Sequence, residues 1–131
     1  MKFVTIDAYK AKVETVEAAS PQEAYAHVGL NPGSVDHGVV HPGVAIVVYE
    51  YFLFVPVDEQ RWFAVGRQLF GGTAVLYGFD ESGETVDLKE PPPVLFFRDY
   101  VEVERAIQNG VIDRPRMAVN NQVLWQWPQQ R

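Results

Sequence analysis

The fourteen residues Val44–Val57, VAIVVYEYFLFVPV, decide how this chain is read. The first six are dominated by β-branched side chains and form an unbroken apolar run of strand length. That combination predicts a central strand covered on both faces. Tyr51–Val57 is expected to continue extended, with Pro56 confining it to an edge or a strand end. Glu50 and Pro56 interrupt the run, which falls short of the roughly 18 apolar residues that span a bilayer. No membrane partner is therefore expected. Exposed strand edges here could pair two copies into a homodimer, which Pro56 and Glu50 are placed to oppose.

Working outward, Thr73–Phe79 is a second apolar strand. Asp80-Glu81-Ser82-Gly83 turns it into a return over Glu84–Leu88. Lys2–Asp7 and Lys12–Glu17 alternate as half-buried strands do, and Ser34–His41 is expected to be extended. Arg61–Val65 reads as a strand followed by a loop, because Gly66 and the Gly71-Gly72 pair weaken the helical alternative. Val94–Phe97 is expected to be a short buried strand.

Two helices announce themselves by their first turns. Ser20-Pro21-Gln22-Glu23 has the capping-box spacing with proline at the first helical position, so Pro21–Val28 is expected to be helical until Gly29. Asp99 and Glu102 repeat the pattern for Tyr100–Asn109, with Tyr100, Val103, Ala106 and Ile107 on one face and Gly110 at the end. Arg116–Val119 and Gln122–Trp127 flank Asn120-Asn121, a tight-hairpin signal because asparagine tolerates left-handed backbone. The expected fold is α+β: a mainly antiparallel twisted sheet with two short helices and a C-terminal β-hairpin. One domain covers 1–131, with the main sheet and first helix in 1–90. A stiff Pro91-Pro92-Pro93 connector follows, then a helix-plus-hairpin appendage in 94–131.

Charge and composition narrow the function classes. The chain has 131 residues, 47% hydrophobic, with a formal net charge of −6. Residues 1–113 carry 8 basic and 17 acidic side chains, net −9, while 114–131 carry three arginines and no acid. An acidic body disfavours general nucleic-acid binding, which relies on cations neutralising phosphates. Such a surface instead steers toward basic partners or keeps the protein in solution. The absence of cysteine excludes disulfides, thiol nucleophiles and cysteine–zinc clusters. The N-terminus shows no basic stretch followed by a long apolar one, so a cytoplasmic location is expected.

Catalytic patterns are sparse. Asp36, His37 and His41 are the metal candidates, but histidines four apart on a strand stand about 13 Å from each other. Zinc–nitrogen bonds of about 2 Å do not bridge that gap without a bend at Gly38. No serine lies in a nucleophile elbow, and Gly71-Gly72 lacks the lysine of a phosphate-binding loop. No catalytic residue and no cofactor are assigned. The strongest binding feature is the C-terminal hairpin, where Val123, Trp125 and Trp127 share a face near Arg114 and Arg116. Aromatic and guanidinium groups so mixed can anchor a protein or stack unpaired bases; alternatively the tryptophans cap the core. Trp62 raises the same question.

Within LFGGTAVLYGFDESGETVDL, residues 69–88, a glycine precedes an apolar strand, an acidic Gly-containing turn and a short Thr-Val-Asp return. This block resembles small uncharacterised proteins of bacterial phages and plasmids. The resemblance implies an accessory role in a mobile element and identifies no active residue. The reading that follows is a cytoplasmic, non-enzymatic protein-binding module. Its alternatives are a single-stranded nucleic-acid contact through Arg114, Arg116, Trp125 and Trp127, and a metal-dependent enzyme using His37 and His41.

Overall fold

The structure, a computed structural model, describes residues 1–120 and 122–127. Eleven strands and two α-helices occur among them: β1 (Lys2–Asp7), β2 (Lys12–Glu17), α1 (Pro21–Tyr25), β3 (Val35–His41), β4 (Val44–Tyr49), β5 (Trp62–Val65), β6 (Gln68–Gly71), β7 (Thr73–Phe79), β8 (Thr85–Val86), β9 (Val94–Phe97), α2 (Tyr100–Gln108), β10 (Arg116–Val119) and β11 (Gln122–Gln126). The fold is α+β and every strand pair is antiparallel. The main sheet runs β2-β1-β7-β4-β3, with β8 beside the far end of β7; a second sheet runs β6-β5-β9, and β10 pairs with β11.

Period-two alternation sorts side chains into layers. On one face of the main sheet, Phe3, Val47 and Val75 pack with Ala24 and Tyr25 of α1. The opposite face presents Val4, Ile6, Ile46 and Leu76 to Phe63 and Val65 of β5. The alternate residues of β5, Trp62 and Ala64, turn outward to Val103 and Ala106 of α2 and to Trp127. The molecule is thus helix on sheet on sheet on helix, with three apolar interfaces. β4 lies between β7 and β3 and contributes to two of them, as its unbroken apolar composition requires.

Both helix starts are capped. The Ser20 hydroxyl accepts from the Glu23 amide at 3.2 Å and the Asp99 carboxylate from the Glu102 amide at 2.9 Å. The return contacts differ from a standard box. Glu23 accepts from the Ala19 amide and Glu102 from the Arg98 amide, each one residue before the cap. The first helix is α-helical only to Tyr25; Ala26–Val28 tightens to a 3₁₀ turn before Gly29.

Three expectations are corrected. Tyr51–Val57 is not extended: Phe52–Phe54 and Val57–Glu59 are 3₁₀ turns. The segment after Val65 is not a loop but β6, reached through Gly66-Arg67, with Val65 opposite Gln68. Gly66 takes a φ of 59° while Arg67 does not turn positive, the pattern of a two-residue hairpin with glycine in its first central position. Finally, residues 94–131 are not an appendage on the main sheet. β9 pairs with β5 and completes the second sheet, so chain from both sides of Pro91–Pro93 builds one layer. The Asn120-Asn121 turn falls partly outside the described residues; Asn120 has the left-handed φ of 50° expected there. Among the described residues no helix is long and apolar enough to cross a membrane.

Candidate functional site

Strand β4 ends at Tyr49, and the chain then lays a run of apolar side chains on the surface. Tyr49, Tyr51 and Leu53 are exposed, Phe54 is 84% exposed and Val57 71%. Phe52 points inward, its ring edge-on to Trp62 at 4.7 Å between centroids, and Val55 packs half-buried on the same cluster. The ring fills the space above Gly71, where a Cβ would collide with it. Backbone bonds fix the loop: Phe54 N–H donates to Tyr51 O and Val55 N–H to Phe52 O, both at 3.0 Å. The buried Gln60 amide donates to Val55 O at 2.9 Å. Tyr51 lies edge-on to Tyr49 and tilted against Phe54. A hydrogen bond from the Tyr51 phenol to Glu50 raises its pKa above the ordinary tyrosine value. The exposed side chains of this loop form an apolar patch that adds nothing to the core.

Beside this loop, at the end of the main sheet, lies a cleft of about 480 Å³. Register brings Asp7 of β1 opposite Thr73 of β7, and Tyr49 closes the same end of β4. Tyr9, Leu30, Asn31 and Phe52 complete the walls. Asp7 Oδ1 accepts from the Tyr9 amide at 2.9 Å and the Lys10 amide at 3.3 Å. Partial burial, and secondarily the Asp7 charge, push the Tyr9 phenol upward. A smaller cleft of about 200 Å³ shares Tyr49 and Phe52 and adds Asp36, Glu50 and Trp125.

The structure distributes the residues singled out in the sequence. Trp62 and Trp127 are core residues, 6% and 3% exposed, edge-on to one another at 5.0 Å. Trp127 also stacks on Tyr100 at 4.9 Å, and its indole N–H donates to Glu104 Oε2 at 2.6 Å. Arg114 reaches the other oxygen of Glu104 at 3.7 Å and donates to Trp127 O at 3.3 Å. Val123, Trp125 and Trp127 run from solvent into the core, exposed, half-buried and buried in turn. The hairpin accordingly presents exposed Arg116 and part of Trp125, while the Trp127 ring is taken up in the core. Arg114, Trp62 and Trp127 close a core instead.

His37 and His41 lie exposed on β3, an edge strand with a register shift between Val39 and His41. Asp36 accepts from the His37 amide. Among the described residues no three histidine or acidic side chains gather as a metal site would require. The exposed loop and Glu104 were both missed from sequence. Loop residues Tyr51–Val57 have strand composition, and a glutamate on a helix gives no sign that it faces inward. No protein-family model, curated protein or solved structure matches this chain, so its own residues carry the reading of the site.

Proposed function

We propose that this protein is a non-enzymatic binding module whose partner is another protein, engaged through the 49–57 loop. The supporting observation is the exposure of Leu53, Phe54 and Val57 on a loop braced by backbone hydrogen bonds and anchored inward by Phe52 and Val55. Ordering these rings in advance removes part of the entropy cost of docking, and central aromatic side chains supply most of the energy in protein interfaces. A cytoplasmic accessory protein of a mobile element is consistent with such a module; the likeness of residues 69–88 alone supports that setting. Phe54→Ser removes the most exposed ring without touching the core. A protein retained from host lysate by the wild type and released by Phe54→Ser supports the reading. Equal retention by both, or turnover of a substrate in a broad hydrolase screen, overturns it.

A further inference from the structure

We infer that the loop's partner carries an arginine, whose guanidinium enters the cleft between Asp7, Tyr9, Tyr49 and Phe52. This rests on the protein-binding reading and adds the chemistry of the segment bound.

Among the described residues, the two clefts that share Tyr49 and Phe52 are lined by three carboxylates, Asp7, Asp36 and Glu50, and by no lysine or arginine. Arg61, whose charge is felt at Tyr9, already donates to the Asp58 and Gln60 carbonyls, and Glu59 opposes it there. Among the described residues Asp7 is the only ionised group lining the larger cleft, and Lys12, opposite it across β1 and β2, is paired with Glu14. Its Oδ1 is committed to two backbone amides, which fixes the carboxylate in place, while Oδ2 accepts no hydrogen bond from a described residue.

The walls select among cations. Tyr9, Tyr49 and Phe52 line the cleft, and an aromatic face turned toward a cation attracts it. A guanidinium suits such a slot better than an ammonium, being planar, less strongly hydrated and able to pair with a carboxylate while it stacks. Phe52 and Val55 of the loop form part of the cleft wall, so one extended segment can lay apolar residues on the loop and its arginine in the cleft. The net −9 of residues 1–113 would steer such a segment inward. Phosphate-bearing partners meet the opposite field.

The test uses N-acetylarginine amide as the probe and its neutral isostere, N-acetylcitrulline amide, as the control, followed by amide chemical shifts of the full chain. Saturable shifts are expected at Leu30, Asn31, Gly72 and Thr73. Asp7→Asn keeps an oxygen for the Tyr9 and Lys10 amides but removes the charge. Binding should weaken about fivefold in that variant and with citrulline, as for a partly exposed ion pair. Absence of shifts at the cleft, or equal binding of arginine and citrulline, overturns the inference. Phe54→Ser should leave arginine binding unchanged, since Phe54 does not line the cleft. If Phe54→Ser still releases a protein partner while the arginine probe fails, the loop reading stands and the arginine inference falls. Arginine binding without any loop-dependent partner overturns the loop reading and leaves the cleft as a guanidinium site only.

Discussion

Glu104 illustrates what one residue settles. It is 2% exposed on α2, and its carboxylate is satisfied by the Trp127 indole and faced by Arg114. Trp127→Phe keeps a ring between Trp62 and Tyr100 but removes the donor, and should cost about 2 kcal/mol, the scale of a hydrogen bond to a charged group. Trp127→Ala also empties the aromatic stack and should cost about 3–5 kcal/mol. Urea unfolding followed by circular dichroism distinguishes them; equal small losses would show that the indole is not a core element. Gly71 acts through space rather than backbone freedom. Gly71→Ala places a methyl group inside the Phe52 ring and should destabilise by about 1–3 kcal/mol. It should also shift Trp62 fluorescence, because Phe52 packs against that indole. Glycine at 71 was readable as permissive; that Phe52 needs its missing side chain was not, because the two are nineteen positions apart.

At the scale of elements, the caps were the most legible signals, since capping is local chemistry among four or five neighbours. Ser20→Ala should cost about 1 kcal/mol in thermal or urea unfolding. The box at α2 also has a pH signature. The Arg98 amide and guanidinium hold the Glu102 carboxyl below its ordinary value. A carboxyl with a lowered native pKa binds fewer protons folded than unfolded. Its contribution is therefore present above the ordinary value of 4.5 and is lost as pH falls through the lowered one. Glu102→Gln should flatten the acid limb of a stability-versus-pH curve and leave its neutral plateau nearly level. An unchanged acid limb would show that Glu102 is not a source of acid sensitivity. β1, β2, β4 and β7 were equally plain from composition and alternation. β6 was hidden because Gly-Arg is a weak turn signal beside Asn-Gly, and the four residues after it alternate poorly.

The whole molecule stacks two sheets between two helices, and that arrangement determines which apolar residues are left outside. Phe54→Ser and Val57→Ser should each change stability by no more than about 0.5 kcal/mol, as surface substitutions away from packing do. A large loss on urea unfolding would mean that the loop belongs to the core. Partner release by these variants at unchanged stability separates recognition from folding.

The amino-acid sequence by itself determined the local elements, strands where β-branched residues cluster and helices where a polar cap precedes an apolar stripe, together with the acidic balance of charge. These are governed by neighbours along the chain. Only the tertiary structure decided that Trp62 and Trp127 lie inside while Phe54 lies outside. It also placed Asp7, Tyr9 and Tyr49 around one cleft. Apolar composition states that a side chain gains by burial, but the available interior depends on how layers distant in sequence close over one another. Phe52 found room above Gly71, and its neighbours on either side did not.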